Sequence, residues 1–297
     1  MVAESKNGNI LSVGVAQIAP RLGRPKENLA VHLEIIEQAK KRGVELLIFP
    51  ELSLTGYTVG RSNMEVAIRQ DSPEIMELAK SADGLHVAVG FVEEGDAAQF
   101  YNSTVVIYNG KLAYLHRKLN LATYGRLEEG KYFGTGRYVE TFWVKDPWRG
   151  SILICADVWN PALVYLSGLH GATLLLCPIN SAIDAVGSEF SNVRGWDLVT
   201  ESYAMLYGMP ILLANRIGSE ENLNFWGKSR VVGPFGEVLA MASEDSEELI
   251  TAKLNYEEVR KARLRLPTVR DSNLALVLRE LMRVDGFIGI PPMRQTT

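Results

Sequence analysis

The sequence predicts an α/β fold, on three observations. Short continuous apolar runs such as "VELLIFPE", "SILICAD" and "ATLLLCPIN" have the length and residue types of strands buried on both faces. Between such runs lie segments with apolar residues at helical spacing, one of them opened by Pro25 and closed by Gly43. The two kinds alternate along the chain, which is how helices come to cover sheets that contain parallel strands.

The elements follow in order. "LSVGVAQIAP" is a strand running into a Pro/Gly loop, "PKENLAVHLEIIEQAKKRG" a helix, and "VELLIFPE" the strand that completes a βαβ unit. A second helix, "SPEIMELAKSADG", precedes the strand "HVAVGFVEE". "NSTVVIYNGKLAYLHRK" is a hairpin, because Asn109-Gly110 suits the positive φ of a two-residue turn. From Leu119 to about Arg137 the chain is rich in Gly, Tyr and charge without a period, so a long ordered loop is expected. Alternation resumes with "YVETFWV", "GSILICAD", the helix "PALVYLSGLHG", "ATLLLCPIN", a Ser/Gly-containing loop, the helix "NVRGWDLVTESYAMLYG" and "MPILLANR". "KSRVVGPFGEVLAMA" and "EELITAKLN" add strands, and a helical tail starts at about residue 255 with "NYEEVRKARL". No linker or low-complexity stretch divides the chain, so one domain over residues 1–297 is expected.

Composition narrows the function classes. Of 297 residues, 47% are hydrophobic and 22% charged, enough apolar surface to offset the entropy of ordering the chain. A formal charge of -4 argues against nucleic acid as partner, which would call for a basic face, and favours small molecules. The start "MVAESKNGN" has neither the basic end nor the apolar stretch of a secretory signal, and no apolar run approaches the roughly 18 residues of a membrane span. A cytoplasmic location without a membrane partner is therefore expected. Cys155 and Cys177 are the only cysteines, too few for a disulfide framework, so both are read as reduced thiols. His32, His86, His116 and His170 are scattered and form no HxxxH pair; neither a metal nor a cofactor is expected.

Three strands end on a reactive side chain: "LLIFPELSLTGY" on Glu51, "LAYLHRKLNL" on Lys118 and "SILICADVWNP" on Cys155. In α/β sheets, ligands gather beyond the carboxyl ends of strands, so such ends can meet although they are distant in sequence. Each residue alone has a plainer reading: a buried small apolar residue for the cysteine, a loop carboxylate for Glu51, a solvated charge for Lys118. Together, a thiol, a base and a cation are the minimum for nucleophilic attack on an amide-like carbon. Cys177, inside the fully apolar "LLLCP", is read as core. Asn102 in "YNS" is read as bracing the start of a strand.

These stretches resemble the nitrilase superfamily of carbon–nitrogen hydrolases. "FPELSLTGY" is similar to that family's glutamate motif, "HRKLNL" to its lysine motif and "ICADVWNP" to its cysteine motif, and the likeness extends from Val13 to Ala240. The resemblance implies an αββα sandwich, with two mixed β-sheets flanked by helices, and a homodimer or larger homo-oligomer. It implies that Glu51 is the general base, that Lys118 stabilises the tetrahedral intermediate and that Cys155 forms a thioester. It also implies a second catalytic glutamate, which positions the substrate or assists proton transfer, best matched by Glu129 in "LEEGKYF" with Glu128 as the neighbouring possibility. The Ala156 N–H is the expected second oxyanion donor. Tyr57, Tyr124, Trp159, Asn180 and Ser181 fall where the family builds its substrate pocket.

The expected activity is hydrolysis of a non-peptide C–N bond in a small amide, releasing ammonia or an amine. "HRKLNLATYGRLEEGKYF" is locally similar to the glutaminase domains of NAD synthetases, but no phosphate-binding Gly-rich loop accompanies it. A carbamoyl-amine hydrolase or a stand-alone glutaminase-like amidase is the nearest alternative. A Cys155–His116 pair would be a different catalyst, and an inactive binding or scaffold protein of the same fold a different class.

Overall fold

A computed structural model describes residues 9–285 except 184 and 188. The N-terminal octapeptide, on which the expectation of no secretory signal partly rests, lies outside the described residues, as does the end of the tail.

In chain order the elements are β1 (Ile10–Gln17), α1 (Pro25–Lys41), β2 (Leu46–Ile48), α2 (Asn63–Val66), α3 (Pro73–Ser81), β3 (His86–Glu94), β4 (Phe100–Tyr108) and β5 (Lys111–Arg117). They continue as β6 (Phe142–Lys145), β7 (Trp148–Ile152), α4 (Pro161–Leu169), β8 (Leu174–Pro178), α5 (Asn192–Tyr207), β9 (Ile211–Ala214), β10 (Ile217–Glu220) and β11 (Leu223–Trp226). The last are β12 (Arg230–Val232), β13 (Val238–Met241), β14 (Glu248–Asn255), α6 (Tyr256–Arg265) and α7 (Leu274–Asp285).

Two six-stranded mixed sheets result, ordered β14-β1-β2-β3-β4-β5 and β13-β12-β9-β8-β7-β6, and helices flank them. Period-two burial shows how the first sheet is shared. Val13, Val15, Leu46 and Ile48 belong to the core that also holds Ile152, Leu174, Leu176 and Leu212 of the second sheet. The intervening Ala16 and Leu47 join α1 and α3 residues Ile36, Ala39, Ile75 and Leu78 in a second core. On the far side, Val164 of α4 and Trp196 and Ala204 of α5 extend the first core. This is the αββα sandwich.

Pairing direction decides which strand ends lie together. β1, β2 and β3 are parallel neighbours, β4 is antiparallel to β3, and β5 is antiparallel to β4. β5 therefore runs with β2, and both carboxyl ends emerge on one edge of the sheet. In the second sheet β7, β8 and β9 are parallel, so their carboxyl ends also share an edge.

Local chemistry explains most boundaries. Pro25 occupies the first turn of α1, and Gly43 follows its end at φ 68°. Asn109 and Gly110 take φ of 47° and 76°, which closes the β4–β5 hairpin. Asn255 caps α6 by accepting the Glu257 N–H at 3.0 Å. The strand expected over "YVETFWV" is confined to Phe142–Lys145, because the Glu140 carbonyl accepts from the Ser151 hydroxyl at 3.0 Å instead of joining a ladder. The β10–β11 hairpin was not expected from the sequence; its turn includes Glu221 at φ 50°, a conformation that polar non-glycine residues do not advertise. No helix among the described residues is long and apolar enough to cross a membrane.

Candidate active site

Glu51 stands three residues beyond β2, in a turn whose next residue, Leu52, has φ 47°. The turn lies against β3 at Gly90, where a Cβ would meet Pro50 O at 2.8 Å and overlap the Leu52 nitrogen. Only glycine permits that approach. The Glu51 side chain is fully buried. Its Oε1 accepts from Lys118 Nζ at 2.6 Å and from Asn102 Nδ2 at 2.7 Å, whereas its Oε2, equally buried, has no protein hydrogen-bond partner. Asn102, read from sequence as a strand brace, is thus a direct partner of the carboxylate. It sits on β4, which pairs with β3, the strand against which the Glu51 turn lies, a register invisible in the sequence.

Lys118 follows β5 directly. Its N–H donates to Asn102 O at 2.9 Å, its carbonyl accepts from Gly136 at 2.7 Å, and its ammonium also donates to Glu129 Oε1 at 2.8 Å. Glu129 is buried; its Oε1 also accepts from the Tyr57 hydroxyl at 2.8 Å and its Oε2 from the Ala122 N–H at 2.9 Å. Glu128, in contrast, is exposed and pairs with Lys131 at 2.5 Å. The ammonium therefore joins Glu51 to Glu129 in one buried trio.

Cys155 opens a single 3₁₀ turn, Cys155–Asp157, that follows β7 and the buried Leu153 and Ile154. Its φ of 46° is strained for a residue with a Cβ, at a cost of roughly 1–3 kcal/mol. That bend ends the apolar run and turns the thiol out of the strand, which is why this cysteine differs from Cys177, fully buried within β8.

Electrostatics couples the cluster. Burial pushes the Cys155 thiol well above its ordinary range; Glu51 and Glu129 push it further, while Lys118 and the Asn180 N–H, hydrogen-bonded to the sulfur, oppose them. Burial also raises the Glu51 carboxyl, with Lys118 opposing and Glu129 adding. Burial alone would lower Lys118, but Glu129 and Glu51 outweigh it and hold the ammonium firmly charged. The Tyr57 hydroxyl is raised by burial and then by Glu129 and Glu51, so it remains a donor.

The other expected pocket residues divide. Tyr57 and Glu129 line a cavity of about 260 Å³, together with Arg126, Tyr132, Phe133 and Leu223 among others. Tyr124 is half-exposed, and its hydroxyl is raised above its ordinary range, by burial first and then by Cys155. Ala156 is buried beside the cysteine in the same turn. Asn180 donates its side-chain amide to the Glu51 carbonyl at 2.8 Å, tying the end of β8 to the glutamate turn. Ser181 accepts from Trp196 Nε1 at 3.0 Å, and the Trp159 ring packs edge-on against Phe190 and Trp196. His116 faces Asp157 at 3.3 Å.

Residues 12–264 match the family described as Carbon-nitrogen hydrolase. The chain is 29% identical over 257 residues to a glutamine-dependent NAD(+) synthetase of Thermotoga maritima, covering 84% of this chain but 42% of that protein. It spans 51% of a second such synthetase, from Acinetobacter baylyi; the chain is thus about half the length of these relatives. A probable nitrilase of Schizosaccharomyces pombe is 27% identical, with 91% of this chain and 98% of that one covered. An N-carbamoylputrescine amidase of Oryza sativa is 25% identical, with 94% and 97% covered. The fold superposes on a carbon-nitrogen hydrolase from Helicobacter pylori G27 with a TM-score of 0.79 at 24% identity, covering 90% of this chain and 97% of that one. By sequence, over residues 12–264, the chain belongs to the carbon–nitrogen hydrolase family.

Proposed function

We propose that this protein hydrolyses a non-peptide C–N bond of a small amide through a thioester on Cys155. The observation that carries the reading is the shared burial of Glu51, Lys118 and Glu129 in one hydrogen-bonded cluster whose charges act on that thiol, with Glu51 Oε2 left without a protein partner. A buried acceptor in that state is costly unless a water or a reacting group donates to it, and a proton-accepting carboxylate needs such a free oxygen.

In this reading Glu51 Oε2 takes the thiol proton as the sulfur attacks the amide carbon, and the carbonyl oxygen becomes an oxyanion. Lys118 Nζ and the Ala156 N–H stabilise it; one such donor is worth about 3 kcal/mol in a transition state. Collapse breaks the C–N bond, and the amine departs with the proton that Glu51 returns. Water, deprotonated by the same carboxylate, then cleaves the thioester and the thiol recovers its proton. Glu129 keeps Lys118 aimed and Tyr57 keeps Glu129 aimed; neither changes its bonding to the acyl group.

The test is ammonia or amine release from a panel of aliphatic, carbamoyl and glutamine amides by wild type and by Glu51→Gln, Lys118→Ala and His116→Ala. Loss in the first two variants with activity kept in the third supports the reading. Loss confined to the histidine variant overturns it.

A further inference from the structure

Asp157, two residues past the thiol, is fully buried and is used by none of the steps above. Its Oδ1 accepts from the main-chain N–H groups of Leu119 at 2.9 Å and Asn120 at 2.6 Å. Its Oδ2 accepts from the Ile154 N–H at 3.0 Å and faces His116 Nε2 at 3.3 Å. One carboxylate thus holds the main chain just after Lys118 and the main chain just before Cys155. None of the three amides belongs to a strand or helix, so without Asp157 each would be a donor with no ladder to join. The other main-chain contacts of Lys118, to Asn102 and Gly136, reach the first sheet and the loop, not the cysteine turn.

We infer that Asp157 is a positioning residue, which fixes the separation of Lys118 Nζ and Cys155 Sγ by tying both backbones to one side chain. The inference rests on the reading of Cys155 as nucleophile and Lys118 as oxyanion donor. Both oxygens already face protein donors, so Asp157 acts through its neighbours and not on substrate. The geometry calls for a carboxylate in particular. An asparagine offers one acceptor oxygen, and its NH₂ must then face either Ile154 or the Leu119–Asn120 pair, donor against donor.

The experiment compares wild type with Asp157→Asn by two readouts: kcat and KM per alkylatable Cys155, and the pH profile of Cys155 alkylation by iodoacetamide. The expected result is a fall in kcat on the order of a hundredfold with KM little changed, the usual consequence of a misplacement of about 1 Å. The alkylation profile shifts as well, because the ammonium no longer stands at a fixed distance from the sulfur. A purely structural role lowers the yield of folded protein but leaves per-site kcat and the profile at wild-type values, and that result overturns the inference. Should Asp157→Asn not fold, hydrogen exchange of the wild type decides. Protection of the Leu119, Asn120 and Ile154 amides comparable to β5 supports the tie, and exchange at open-loop rates overturns it. Alkylation and exchange are independent of which amide is cleaved. Failure of the hydrolase reading, seen as undiminished turnover in Cys155→Ala, is therefore distinguishable from failure of this one.

Discussion

Lys118 Nζ and Glu51 Oε1, 67 positions apart in sequence, meet at 2.6 Å with both side chains wholly out of water. The pair is asymmetric. The ammonium has a second carboxylate, Glu129, at 2.8 Å, whereas the Glu51 carboxyl is lifted by its own burial, with Lys118 opposing and Glu129 adding.

That asymmetry separates stability from activity. Glu51→Gln removes one of two like charges and leaves Lys118 with Glu129, so the variant is expected to melt at or above the wild-type temperature while turnover falls by about three orders of magnitude. Lys118→Met strands two buried carboxylates and is expected to cost about 3–5 kcal/mol. Urea unfolding beside ammonia release measures both; a Glu51→Gln variant that is both active and unstable contradicts the argument.

The pH profile follows from the same cluster. Only the ionised Glu51 can take the thiol proton, and its carboxyl titrates above the ordinary 4.5, so kcat/KM falls as the pH drops through that raised value. Lys118 is held well above 10.5 and the thiol well above 9, so neither imposes an alkaline fall below pH 9. A one-sided profile with a plateau is expected, and its apparent pKa belongs to the coupled cluster. A bell centred near neutrality would instead indicate a histidine base.

Gly90→Ala tests the seat of the glutamate turn. The added methyl would meet main-chain atoms of Pro50, Glu51 and Leu52, none of which can rotate aside. The turn must lift, so kcat is expected to fall at least tenfold. A variant with wild-type kcat would show that Glu51 tolerates displacement.

His32 makes the same turn acid-sensitive. Its Nδ1 is 2.7 Å from the Asn28 carbonyl and its Nε2 is 2.9 Å from the Ser53 hydroxyl, and burial draws its pKa down from 6.5 to about 4. The unfolded chain therefore binds a proton that the folded chain refuses between those values. The stability from neutral His32 is complete above pH 6.5 and is lost as the pH falls toward 4, a loss of about 3 kcal/mol. In His32→Asn the drop in unfolding free energy between pH 7.5 and 4.5 should shrink by that order. An unchanged drop contradicts the assignment.

What the sequence made legible was local. The three strand ends bearing Glu51, Lys118 and Cys155 stood out because apolar runs stop at reactive residues, and Asn109-Gly110 announced its hairpin in two letters. The two-sheet arrangement followed from family resemblance alone, since alternation does not say which strands pair. Asn102 reads only as a strand brace and Asp157 carries no signal of its own, because their roles are set by cross-strand register and by contacts 51 and 38 positions away. Glu129 and Glu128 were hard to separate as neighbours, and only the turn of the chain over 129–131 sends one inward and the other to Lys131.

The most direct test of the central claim is peptide-level mass spectrometry of the protein quenched in acid during turnover of an amide. The account predicts a mass increase equal to the acyl group, confined to the peptide that carries Cys155 and absent after Cys155→Ala. Undiminished amide hydrolysis by Cys155→Ala, or an acyl group carried by another residue, would contradict it.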